Sequence, residues 1–79
     1  MKIPVVKKLV EQYSIEQLQA ADEALADEQT PEIEIAGEDE GEKLTHAFAA
    51  LWIKERMNEG LEFKAALREY TSKVRESIN

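Results

Sequence analysis

Seven consecutive apolar residues, Ala47-Phe48-Ala49-Ala50-Leu51-Trp52-Ile53, lie inside a segment that carries helix signals at both ends. A helix turns about 100° per residue, so seven apolar positions in a row put carbon around its whole circumference. Such a helix has to be covered on more than one side, and everything else in the chain must supply the cover. Its start is marked by Asp39 and Glu42, a D-x-x-E capping pattern, with Glu38 and Glu40 adding negative charge at the positive end of the helix. Gly60 is placed to end it in the left-handed conformation, so the helix is predicted from about Glu40 to Glu59.

The covering elements are also helical. Ile3, Val6, Leu9, Val10 and Tyr13 recur at helical spacing behind Pro4, predicting a short first helix over 4–12. Ser14 with Gln17 forms a capping box, with Tyr13 and Leu18 placed as a hydrophobic staple across it. A second helix therefore starts at Ile15, turns Ile15, Leu18, Ala21 and Leu25 inward, and is predicted to stop at Thr30-Pro31. A fourth runs from about Glu62 to Ser77, with Phe63, Ala66, Leu67, Tyr70 and Val74 on one face. Glu32-Ile33-Glu34-Ile35 alternates with period two between Pro31 and Gly37. Having no second strand in the chain, it is either an extended connector pinning Ile33 and Ile35 onto the helices or a strand that pairs with another copy. The expected fold is all-α: a small four-helix domain over 1–79, with a long central third helix and one short extended segment.

Composition narrows the function classes. Among the 79 residues there is no cysteine, which removes disulfides, thiolate metal sites and a thiol nucleophile. The longest apolar run is far short of the roughly twenty residues of a membrane span, and Lys7 and Lys8 interrupt the apolar start, so a cytoplasmic location without membrane contact is expected. The net charge of -7 is unevenly spread. Residues 1–10 hold three lysines and no acid, residues 11–42 hold twelve acids and no lysine or arginine, and 43–79 are mixed. An acidic middle between basic ends allows helices one and four to lie beside helix two, with each exposed ion pair worth about 0 to 1 kcal/mol. Nucleic acid is disfavoured as a partner because the overall charge repels phosphate, and Lys64, Arg68 and Arg75 are interspersed with Glu62, Glu69 and Glu76.

Gly37-Glu38-Asp39-Glu40-Gly41-Glu42, with Leu44-Thr45-His46 after it and Ala66-Leu67-Arg68-Glu69-Tyr70 further on, resembles a small family of short, acidic, uncharacterised bacterial proteins. The similarity extends over nearly the whole chain, including Lys2-Ile3-Pro4. It implies a compact single-domain protein and brings no activity, cofactor or catalytic residue with it.

Candidate chemistry is sparse. Glu42 and His46 are one helical turn apart, with Asp39 a turn before Glu42, so a carboxylate and an imidazole can approach a shared divalent metal. Two or three ligands do not close a site, no second histidine completes a zinc triad, and capping accounts for Asp39 and Glu42 equally well. The acids between Gly37 and Gly41 lack the twelve-residue calcium-loop pattern. Ser14 is engaged as a cap, Thr45 points about 100° away from His46 on a helix, and there is no glycine-rich phosphate loop, so no enzyme activity and no cofactor are expected.

The expectation for function is a non-enzymatic interaction or assembly module, acting as a homodimer or as an accessory subunit. The alternative is a divalent-metal-binding protein using Asp39, Glu42 and His46. Leu44, Phe48, Leu51 and Trp52 form a stripe able to meet helices two and four. Ala49, Ala50, Ile53 and Met57 form a second stripe, whose small residues suit close packing on another copy. The acidic 11–42 segment is a second candidate surface, for a basic protein partner.

Overall fold

The computed structural model describes residues 1–78, with side chains given as far as Lys73. The helices are α1 (Ile3–Gln12), α2 (Ile15–Ala26), α3 (Glu40–Asn58) and α4 (Phe63–Ile78). The described residues contain no strand, and the all-α expectation holds. The expected positions of Val74, Arg75 and Glu76 on α4 lie outside the described side chains.

α3 packs against each of the other three helices, which among the described residues make no comparable contact with one another. The arrangement that the charges allow, helices one and four beside helix two, is therefore corrected: α3 is their common neighbour, because only α3 offers apolar atoms in every direction. The core is Val6, Leu9 and Val10 from α1, Leu18, Ala21 and Leu25 from α2, Ala47, Ala49, Ala50 and Ile53 from α3, and Ala66 and Tyr70 from α4. Ile35 joins it from the connector, with Ile33 packed against it, while Glu32 and Glu34 stay exposed. The period-two alternation is that of an extended connector holding two isoleucines on the helices.

The local caps form where the sequence places them. The Ser14 hydroxyl accepts from the Gln17 N–H, and the Gln17 side chain accepts from the Ser14 N–H, closing the capping box. After α3, Gly60 adopts φ 109°; its N–H donates to the Met57 carbonyl, and that of Leu61 to the Arg56 carbonyl. This tight stop turns α4 back antiparallel along α3. There Trp52 meets the Tyr70 ring edge-on at 5.7 Å, and Arg56 reaches Glu69 at 3.1 Å.

The end of α2 is not where Thr30-Pro31 suggested. The helix stops at Ala26, because Glu28 takes up φ 61° and the N–H groups of Glu28 and Gln29 donate back to Leu25 and Ala24. The same left-handed stop that Gly60 makes is made here by a residue with a Cβ, at a steric cost of about 1 to 2 kcal/mol. Glu28→Gly is accordingly expected to stabilise the fold by about 1 kcal/mol in urea unfolding; a loss of stability would show that the Glu28 side chain contributes more than its backbone strain costs.

α1 has no side-chain cap at its start, and at its end only the Tyr13 backbone N–H bonds back, to the Leu9 carbonyl. Lys2 precedes it without a side-chain cap, Pro4 removes one orphan donor, and no basic residue occupies its last turn. Both ends are fixed by α3 instead. At the start, the Lys2 N–H donates to Nε2 of His46 at 3.0 Å; at the end, Nζ of Lys54 donates to the Val10 carbonyl at 2.7 Å. Because His46 precedes Lys54, α1 runs parallel to α3, and the ammonium sits at the negative end of the α1 dipole.

Candidate functional site

His46 is the only polar residue in the described core and is 0% exposed. Nδ1 lies 2.7 Å from the Ala36 carbonyl, and Nε2 accepts from the Lys2 N–H. Only the neutral imidazole with its proton on Nδ1 satisfies both partners. The ring thus binds the start of α1 and the end of the 27–39 connector to α3, and both of its nitrogens are used. The chain is close-packed at the neighbouring Gly37, where a Cβ would come within 2.8 Å of the Lys43 side-chain Cγ and 3.0 Å of the Lys43 backbone nitrogen.

The acidic start of α3 is likewise occupied by its own backbone. Oδ1 of Asp39 accepts from the Glu42 N–H at 2.8 Å. Glu42 does not return the bond to Asp39 as a plain capping box would; its Oε1 accepts from the Glu38 N–H, one residue earlier, at 3.0 Å. The hydroxyl of Thr45 donates to the Gly41 carbonyl. Asp39, Glu42 and His46 are close in sequence, but their polar atoms serve three separate purposes. Among the described residues no three His, Asp or Glu side chains are gathered where they could hold a metal ion. Asp39→Asn is expected to be nearly neutral and Asp39→Ala to cost about 1 kcal/mol. Zinc, manganese or calcium should leave both the melting temperature and the His46 ring resonances unmoved; a metal-dependent rise in melting temperature that Asp39→Asn abolishes would make this cluster a cation site.

The second apolar stripe is where the structure departs most from expectation. Ala49, Ala50 and Ile53 are each 0% exposed inside the chain, and Met57 is partly buried against the same core. They do not form a free surface. The Lys2–His46 and Val10–Lys54 bonds clamp α1 along α3, so a helix of this chain occupies the place assigned to a second copy.

The exposed apolar surface lies elsewhere. Phe48, 47% exposed, lies beside Tyr70 with ring centroids 6.2 Å apart. It lines a shallow groove with Leu44, Thr45, Tyr70, Asp22 and Ala26, where α2, α3 and α4 meet. Leu44 and Trp52 are only partly covered, so the stripe read as able to meet helices two and four is open at Phe48. The cause is size: small Ala26 stands on the α2 side, and Tyr70 covers Trp52 as well as Phe48. Burial in this groove, and secondarily the neighbouring charge of Glu23, raise the Asp22 carboxyl above the ordinary aspartate value of 3.8. Burial also raises the Tyr70 phenol. Sequence periodicity could not single out Phe48, because every position around it is apolar too.

A family model described as a family of unknown function, DUF6952, matches residues 1–79. No curated protein and no solved structure matches the chain. No helix among the described residues is long and apolar enough to cross a membrane.

Proposed function

Because the chain belongs to a family whose function is unknown, we propose a role from its own geometry: a non-enzymatic protein-interaction module whose contact surface is the groove around Phe48. The observation that carries this reading is an aromatic ring left half-exposed beside a second aromatic, the one exposed aromatic side chain among the described residues. Aromatic side chains flanked by apolar and charged groups are the usual anchors of protein interfaces. The polar groups that the groove offers a partner are the Asp22 carboxylate, the Thr45 hydroxyl, which donates to Gly41, and the Tyr70 phenol.

Asp22 strengthens the reading. A carboxylate whose proton affinity is raised in the fold costs stability at neutral pH, and that cost falls away as pH drops from the raised value towards 3.8. An aspartate kept at such a cost beside an exposed aromatic suits a partner that brings a cation to it. Asp22→Asn should raise the melting temperature at pH 7 and flatten the stability profile just above pH 4; an unchanged profile would mean that the groove does not desolvate the carboxyl.

The decisive test compares the wild-type chain with Phe48→Ser in affinity capture from the native cell, after circular dichroism shows both folded. Partners lost with Phe48→Ser support the groove. A partner set that Phe48→Ser leaves intact would sink it, and loss only on neutralising Glu32, Glu34, Glu38 and Glu40 would move the surface to the acidic connector.

A further inference from the structure

The large apolar side chains exposed among the described residues are Met1, Ile3 and Phe48. They fall in two places, one at the basic 1–10 segment and one beside the acidic 11–42 segment. Phe48 sits in the groove walled by Asp22, with Glu23 beside it, inside the 11–42 segment that has no basic residue. Met1 and Ile3 sit at the start of α1 in a segment that itself has no acid; Ile3 shares a helix face with Lys7 while Pro4 shares the next with Lys8, and of the connector's acids Glu34 lies beside Pro4 and Lys8 and Glu38 is 3.9 Å from Lys2. Lys7 and Lys8 are exposed, and no ion pair among the described residues engages either one.

The geometry points to a second copy of this chain as the occupant of the Phe48 groove, docked through the Ile3–Lys8 edge of α1. The inference rests on the reading of the groove as a contact surface and names what fills it. Ile3 supplies an apolar anchor for Phe48 and Leu44, and Lys7 and Lys8 bring the cations that the Asp22 wall lacks. One chain cannot make this contact with itself. α1 is tied to α3 at His46, and Phe48 lies about 200° from His46 around the α3 axis, so edge and groove face different sides of the molecule. The contact is heterologous, the edge of one copy in the groove of the next, and it extends head to tail unless a symmetry closes it. One isoleucine with two lysines makes a small interface at the weak end of the range, so association is expected at about 0.1 to 1 mM.

Two variants test it, both at half-exposed positions where the fold should survive. Phe48→Ser removes the groove and keeps the edge; Ile3→Ser removes the edge and keeps the groove. Each alone should remain at 9.0 kDa in sedimentation at protein concentrations where wild type grows heavier. An equal mixture should form a heterodimer and stop there, since one intact edge meets one intact groove. Isotope-labelled Phe48→Ser titrated with unlabelled Ile3→Ser should shift at Ile3, Lys7 and Lys8, and about 0.5 M salt should weaken the shifts several-fold. Lys7→Glu with Lys8→Glu in the edge copy should abolish binding, and Asp22→Lys in the groove copy should restore it. Association that survives in both single variants, or a mixture that stays monomeric, would overturn the inference. If wild type is monomeric at about 1 mM, self-docking falls; shifts at Phe48 and Tyr70 on adding a basic amphipathic helical peptide would then preserve the interaction-module reading, and their absence would sink that as well.

Discussion

Replacing His46 with alanine is expected to cost about 3 to 5 kcal/mol and to lower the thermal midpoint by at least roughly 12 °C. Part of the loss is the space vacated by a ring that is 0% exposed. The larger part is polar. Without the imidazole, the Lys2 N–H and the Ala36 carbonyl both lose their partner at a partly buried position, at about 1 to 3 kcal/mol each. The damage should be directional, because the ring holds the start of α1 and the connector while leaving the Gly60 turn and the α3–α4 contact intact. Hydrogen exchange should therefore speed up first in α1, with the amides around Trp52 and Tyr70 retaining protection until global unfolding. His46→Phe separates the two contributions, since it refills the space and restores neither bond. A His46→Ala protein that melts within about 2 °C of wild type would show that the tie between α1 and α3 is incidental.

How much of this was legible depends on the reach of each interaction in sequence. Ser14 with Gln17 and Asp39 with Glu42 are three residues apart, and both caps form as their spacing implied. Gly60 needed no partner, only freedom from a Cβ. The α2 stop was missed because Glu28 carries it, and nothing in a glutamate announces φ 61°. The ties of α1 were missed for a different reason: Lys2 with His46 and Val10 with Lys54 are each separated by 44 residues. A local signal did exist, since a helix with no cap residue before it and no cation in its last turn must find its partners elsewhere. Reading that deficit would have placed α1 on α3 and left Ala49, Ala50 and Ile53 inside the chain. The groove was illegible from pattern alone, because an apolar run without polar positions says that cover is needed on every side and not which residue the cover fails to reach.

Ile53 and Phe48 lie five residues apart on α3, in the same apolar run, and are expected to behave in opposite ways. Ile53 is 0% exposed and is among the largest fully buried side chains, and it falls on α3 between His46 and Lys54, the two residues that bond to α1. Ile53→Ala removes three carbons from a site that α1, clamped at both ends, cannot collapse into, so the loss is expected to be about 2 to 5 kcal/mol. A chain of this length has a total stability of only about 4 to 12 kcal/mol, so Ile53→Ala consumes a large share of it. Ile53→Glu adds the burial of an unpaired carboxylate and is expected to leave the chain unfolded at pH 7. Were Ile53 a dimer contact instead, the glutamate variant would be a folded monomer with native helicity and a cooperative melt. Phe48→Ser, by contrast, removes a ring already half in water and should stay folded, with its effect confined to association. Circular dichroism and sedimentation on the two variants side by side separate core from surface: a folded Ile53→Glu monomer would return the interface to the stripe that α1 covers, and an unfolded Phe48→Ser would make the groove part of the core.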